Sequence, residues 1–264
     1  MAITSLDSYI GAAKQIVPMT RTATRTTVSA QPFSVFDLAG NPGAGTLAGA
    51  STANGVVPTD LTAGCPLLTA FGASASGYLA TVDFGSTVAC RLTLSDLLFK
   101  AGAYSFNANT TLTAQPSYAS RIPDGNYAGT QLWLEAVTAF TGNVSIAVTY
   151  TNQAGTTART TGTVATGVAP TVGRMVQLPL AAGDSGLQKI ESVVATVATA
   201  GTFNLLVLRP LWSGRCRLAN DGDTHGLDKT GLPVVFADSA LFLTVTPDST
   251  STGVPDLALE IANG

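Results

Sequence analysis

Along most of the chain, apolar and polar residues alternate with a period of two, the signature of half-buried strands. Val88, Cys90, Leu92 and Leu94 fall on one side of a strand over 87–94, with Arg91 and Thr93 on the other. Residues 78–84 read as the preceding strand, joined to it at Gly85-Ser86. Val144, Ile146, Val148 and Tyr150 form a second apolar face, with Ser145 and Thr149 opposite. In 132–140, Trp133, Glu135, Val137 and Ala139 share a side, and with 143–152 the segment predicts a hairpin turning at Thr141-Gly142. Further strands are expected over 33–38, 103–107, 174–180, 188–199, 202–211, 215–218, 234–236, 240–246 and 256–262, with a Thr-rich ribbon at 156–166.

Three stretches break the alternation. Residues 4–16 predict a short helix, with Thr4 as cap, Ile3 as staple, and Leu6, Tyr9, Ile10 and Ala13 on one face. Val17-Pro18 is expected to end it, because the residue before proline avoids the helical region. Ser95–Lys100 reads as one helical turn capped by Ser95. Residues 40–77, rich in Gly, Ala, Ser and Thr, predict a long loop. Many short strands between Gly, Pro and Asp turns favour a sandwich or barrel over alternating βαβ units. The expectation is an all-β protein. Residues 1–30 would form the N-terminal helix and extended arm, and 31–264 an antiparallel, jelly-roll-like β-sandwich domain carrying the 40–77 loop.

Composition narrows the function. There are 13 Lys plus Arg against 16 Asp plus Glu, so the net charge is -3 and only 11% of residues are charged, where about 25% is usual. A broadly basic nucleic-acid binder is excluded on that balance. No apolar run is long enough for a membrane-spanning helix. The N-terminus lacks the basic-then-apolar pattern of a secretory signal, so folding in a cytoplasm is expected. Cys65, Cys90 and Cys216 are odd in number and widely spaced, and read as small buried hydrophobes. Arg91, Arg215 and Arg217 sit beside two of them, but on a strand neighbours point to opposite faces.

Several polar motifs carry potential chemistry. Asp221, Asp223 and Asp228, with Gly222 and Gly226, resemble the start of a Ca²⁺ loop, but no Glu stands at the twelfth position. His225 is the only histidine and lacks a partner for zinc. Residues 220–228 therefore read as a solvated turn. Ser185 lies in GDSG, a protease-like tetrapeptide, but His225 follows it, whereas the proteases place histidine before serine. Glu135, Glu191 and Glu260 are the only glutamates, and spacing alone does not pair them across a cleft. Trp133, Trp212, Tyr104, Tyr127 and Tyr150 could stack on sugars, yet they lie within apolar strands and read as core or interface anchors. The sequence assigns no catalytic, cofactor-binding or metal-binding residue, and no enzyme activity or cofactor is expected.

Several segments together carry a resemblance: AITSLDSYI, FSVFDLAGNPGAGTLAG, LSDLLFKAGAYSFN, PTVGRMVQLPLAAGDSGLQKIESV, LLVLRPLWSGR and GVPDLALEIANG. They resemble a group of tailed-bacteriophage virion proteins whose shared motifs are not catalytic. The resemblance implies a structural component of the particle, with a capsid decoration or cement protein preferred. Its partners would be the major capsid protein or other virion proteins, and it would form a homo-oligomer, a trimer by preference. It would reside in the virion after synthesis in the host bacterial cytoplasm, with no nucleic acid or membrane as partner. A tail, neck or baseplate component and a glycan- or receptor-binding β-sandwich module remain the alternatives.

Overall fold

The computed structural model describes residues 3, 5–71, 76–165, 170–195 and 199–264. Strand accounts for 46% of it and helix for 6%, so the chain is all-β, as its alternation requires. The early strands are β1 (Lys14–Arg21), β2 (Phe33–Ser34), β3 (Gly40–Asn41), β4 (Ser76–Ser86), β5 (Cys90–Ser105) and β6 (Thr110–Thr111). The middle of the chain forms β7 (Gln131–Thr138), β8 (Ser145–Asn152), β9 (Arg159–Thr160), β10 (Val164–Ala165), β11 (Met175–Leu178) and β12 (Leu187–Val194). The last are β13 (Thr202–Cys216), β14 (Asp221–His225), β15 (Val234–Phe236), β16 (Leu241–Pro247) and β17 (Pro255–Asn263).

The chain divides into two compact units, Met1–Thr46 with Thr59–Asp96 and Leu211–Gly264, and Leu47–Pro58 with Leu97–Pro210. The physical reason lies in two strands. β5 has 16 residues and β13 has 15, beyond the roughly 3–10 usual for a strand. Each supplies side chains to one core and then to the other. In both, the period-two alternation gives way to a run in which every residue is buried, Leu94–Gly102 in β5 and Phe203–Leu208 in β13, and such a run fits a buried strand or a buried helix equally well.

The first unit is a sandwich. One face is the antiparallel sheet β14-β4-β17-β1-β3, with β15 also on β4. The other contains β2, β16 and the start of β5, paired Leu243↔Leu94 and Val245↔Leu92. Leu79, Val82, Leu257, Leu259 and Ile261 meet Leu92, Leu94, Leu243 and Val245 in its core. Cys90, Leu92 and Leu94 are fully buried while Arg91 is exposed, as the alternation predicts. β4 and β5 are not neighbours, however, because β4 pairs with β17, β14 and β15. The expected turn at Ser95–Lys100 is also strand. Asp96, within that segment, is buried and accepts from Ser239 Oγ at 2.9 Å and Ala240 N at 3.1 Å.

The N-terminal helix α1 (Leu6–Gly11) is shorter than expected. Ser5 caps it through a reciprocal box with Ser8, at 3.1 and 3.0 Å, and Thr4 lies outside the described residues. Pro18 does not terminate the helix but sits inside β1, opposite Ala258. Proline is tolerated there because β1 meets β3 only at Thr20 and Arg21, leaving Pro18 on an open edge. The segment after β1 is stitched down rather than extended. Thr27 N donates to Thr250 O at 2.9 Å, Thr252 N to Arg25 O at 3.0 Å, and Arg25 pairs with Asp37 at 2.5 Å. Only residues before β1 retain the character of an arm.

The 40–77 stretch is fastened in pieces, and its residues 72–75 lie outside the described residues. In the first unit, buried Arg21 donates to Pro42 O at 2.6 Å and Gly64 O at 3.4 Å. Gly64 has φ +95, and a Cβ there would meet Gly45 Cα at 2.7 Å. In the second unit, Val56 and Lys100 exchange backbone hydrogen bonds at 2.8 and 2.9 Å. Backbone and guanidinium donors thus fix a segment with few side chains to bury.

The second unit is also a sandwich. The sheet β10-β8-β12-β6, with β9 on β8, covers β7, β11 and the second-unit parts of β5 and β13. Val144, Ile146, Val148 and Tyr150 all face the core, as expected. The expected hairpin at Thr141-Gly142 is instead a corner. β7 pairs with β11 and β13, while β8 pairs with β12, β9 and β10. Two adjacent strands with one apolar face each fit a hairpin or an inter-sheet corner equally well. Residues 196–198 and 166, inside two expected strands, lie outside the described residues.

Candidate functional site

A cluster of charged side chains facing solvent lies on the first unit, where β13 ends. Over 212–217 the side chains alternate. Trp212, Gly214 and Cys216 turn inward, and Ser213, Arg215 and Arg217 outward. Arg91 on β5 joins the outward set, together with Asp223 and His225 of β14 and Lys229 of the short helix α2 (Leu227–Thr230). These residues line a cleft of about 470 Å³. Residues 220–228, read as a turn, are mostly strand and helix, because β14 pairs along β4 from Asp221↔Ser86 to His225↔Val82.

His225 is held firmly. Trp212 Nε1 donates to its Nδ1 at 3.0 Å, so Nδ1 accepts and Nε2 carries the hydrogen. Phe84 packs edge-on to both rings, at 4.8 Å from Trp212 and 4.9 Å from His225. The Nε2 side faces Asp223 Oδ2 at 3.5 Å, and Lys229 Nζ stands 3.5 Å from the same oxygen. The Thr224 amide, at 2.8 Å, and then Lys229 hold the Asp223 carboxyl below the usual carboxylate range. A Cβ at Gly214 would lie 2.3 Å from the Trp212 ring and 2.7 Å from Phe84. The cleft therefore presents one fixed imidazole among charged side chains, held from behind by buried Trp212 and Phe84.

The other sequence candidates serve the fold. Glu135 is buried and accepts from Asn204 Nδ2 at 2.7 Å, while the same amide holds Leu47 O at 2.6 Å. Glu191 accepts from Thr151 Oγ1 at 2.7 Å and the Ala158 amide at 3.1 Å. Glu260 accepts from Tyr9. Each glutamate has separate partners, and no cleft brings two together among the described residues. Ser185 belongs to the second unit and His225 to the first. In GDSG, Asp184 accepts from Tyr150 at 2.7 Å, Asn152 at 2.8 Å and Arg159 at 2.8 Å. The Ser185 amide and carbonyl are bonded to Gln153 and Gly129.

Among the described residues no three His, Cys, Asp or Glu side chains converge at metal-binding range. Asp221 and Asp223 are spread along a strand and Asp228 lies on α2. The three cysteines are buried, and among the described residues none is in a disulfide. Burial pushes the Cys216 thiol up to about 12 and raises that of Cys90 as well. Their arginine neighbours face the opposite side, as strand geometry predicts. Trp212, Tyr104 and Tyr150 are buried, which fits core anchors, and Trp133 is half-buried with Nε1 on Gln131 Oε1 at 3.0 Å.

Sequence reasoning missed the convergence of Arg91, Arg215, Arg217 and Lys229. The i, i+2 spacing of Arg215 and Arg217 signals a shared strand face. The arrival of Arg91 and Lys229 depends on long-range strand pairing that spacing does not carry.

No protein-family model matches this sequence, and no curated protein matches it. Among solved structures, the VP2 subviral particle of infectious bursal disease virus aligns over 95% of this chain and 41% of its own, with 10% identity and a TM-score of 0.12. The structure of that virus's Gt strain aligns over 93% of this chain and 41% of its own, with 14% identity and a TM-score of 0.13. The chain thus spans about two fifths of those chains, and scores this low carry no argument about fold or function.

Proposed function

We propose that this chain is a structural protein of a tailed-bacteriophage particle, a decoration or cement protein that binds the major capsid protein and stabilises the head. The observation that carries this reading is α1. The helix has a complete capping box yet buries none of its residues, and Leu6 and Ile10 are 65% and 64% exposed. It is tethered rather than packed. The Tyr9 hydroxyl donates to Glu260 Oε1 at 2.5 Å, and Lys14 Nζ lies 4.5 Å over the Tyr9 ring. A six-residue helix is not stable alone, so a preset helix with an uncovered apolar face suits docking into a neighbour. Ile16 is exposed nearby in sequence and extends the apolar surface. The resemblance in sequence points to the phage particle, and low charge with threonine-rich outer faces suits a surface covered by neighbours in a symmetric cluster, a trimer by preference.

The test is deletion of residues 1–12, which spares β1. The shortened chain should keep its melting temperature and lose co-sedimentation with phage heads. Undiminished binding would overturn the decoration reading. Density for the chain on tail or baseplate, rather than the head, would favour the tail component instead.

A further inference from the structure

The cleft at the end of β13 carries an inference that uses no residue of α1. Four of the chain's 13 Lys and Arg residues, Arg91, Arg215, Arg217 and Lys229, line this one concavity in a protein of net charge -3. Like charges gathered this closely repel, and folding alone gives no reason to collect them. Arg215 shares its charge with Asp248 at 2.9 Å, and Lys229 with Asp223 at 3.5 Å. Arg91 and Arg217 form no ion pair among the described residues. Two guanidinium forks thus remain available, and such forks match the paired oxygens of phosphate or sulfate.

One carboxylate stands among these cations. Asp223 would repel a bare anion, but it accepts from a hydroxyl. Asp223 Oδ1 is engaged by the Thr224 amide and Oδ2 lies toward the cleft's His225 and Lys229. His225 Nε2–H adds a donor whose direction is fixed by Trp212. The volume, about 470 Å³, exceeds a single ion and lies within the roughly 300–1,000 Å³ of small-ligand sites. We infer that this cleft binds a phosphate or sulfate oxyanion, carried as an ester on a saccharide, with Arg91 and Arg217 on the oxyanion and Asp223 on a sugar hydroxyl.

Calorimetric titration of the full chain at fixed ionic strength tests this with two probes, inorganic phosphate and glucose 6-phosphate. Both should bind, the sugar phosphate more tightly. The double variant R91Q/R217Q should weaken both by roughly tenfold or more, the scale of losing charge-assisted hydrogen bonds. D223N should weaken glucose 6-phosphate relative to inorganic phosphate, whose own binding should be equal or tighter once the repelling carboxylate is gone. K189Q, a charge removed from the second unit, should change neither. An unchanged melting temperature and an unchanged near-ultraviolet circular dichroism spectrum, to which Trp212 and Trp133 both contribute, check that each variant is folded. Equal affinity for the two probes would overturn the saccharide part and leave a free-ion site. Absence of binding, or equal losses in R91Q/R217Q and K189Q, would overturn the site altogether. Loss of head binding on removing residues 1–12 is a separate readout, so the two proposals fail independently.

Discussion

The two units are built on one plan and spend their polar residues differently. Each is a sandwich of antiparallel sheets around an apolar core. In the second unit, polar side chains turn inward to hold connections. Arg121, fully buried, donates to Leu97 O at 2.8 Å and Leu98 O at 3.3 Å. Asn204 joins Glu135 to Leu47 and Gly49. Asp184 gathers Tyr150, Asn152 and Arg159. The first unit has such fasteners in Arg21 and Arg25, but it also keeps four cations and a carboxylate on an open cleft. A buried polar group that loses its partner costs the fold, whereas an exposed one costs almost nothing. Groups of the first kind are explained by stability. Those of the second kind need another reason, and so function is sought on the first unit.

The sharpest way to break this contrast is N204A. The Asn204 amide donates to Glu135 Oε2 and Leu47 O, and its carbonyl accepts from Gly49 N at 2.8 Å. Its removal deprives three buried or half-buried groups at once. A loss of about 2–3 kcal/mol in chemical denaturation is expected, given the usual cost of depriving buried polar groups. A change below about 0.5 kcal/mol, the usual range of surface substitutions, would mean that the second unit's polar interior is not structural.

The same contrast explains how much was legible in the sequence. The all-β class and most strand positions follow from local alternation, and Val234–Phe236 falls where it was expected. Inward and outward faces were also readable, as at Leu92 and Arg91. Pairing was not. The sequence at Thr141-Gly142 looks like a hairpin turn because it is local, while the choice of β13 for β7 and β12 for β8 rests on residues some 70 or 40 positions away. Ser95 misled for a similar reason. A serine heading this segment looks like a helix cap until Ser95 and Asp96 pair with Phe242 and Leu241 across the sheet. The cleft shares this limit, since Arg91 and Lys229 lie far from Arg215 in sequence.

A second test uses acid. The Arg159 guanidinium, then the Tyr150 and Asn152 donors, hold the Asp184 carboxyl down at about 2. The unfolded chain releases that proton near about 3.9. A carboxyl depressed on folding stabilises above its unfolded value, and that contribution fades as pH falls from about 4 toward 2. D184N removes the titration. Acid unfolding of D184N should therefore be flatter across this window than that of the parent, with the larger difference between the two at neutral pH. Parallel curves would show that the Asp184 cluster does not set the second unit's acid limb.

The smallest effect is expected from the exposed pair in the first unit. Arg215 and Asp248 lie 2.9 Å apart, but their side chains are 55% and 45% exposed. Water and salt screen such a pair, and its usual worth is about 0–1 kcal/mol. D248N should leave stability nearly unchanged. It should also release Arg215 from its one carboxylate, adding a third available fork to the cleft. If the cleft is an oxyanion site, D248N should bind inorganic phosphate more tightly than the parent while melting at the same temperature. A fall in melting temperature as large as that of N204A would place Arg215 among the fasteners and erase the distinction between the units. Unchanged stability with tighter phosphate binding is the result that separates a cation kept for a ligand from one kept for the fold.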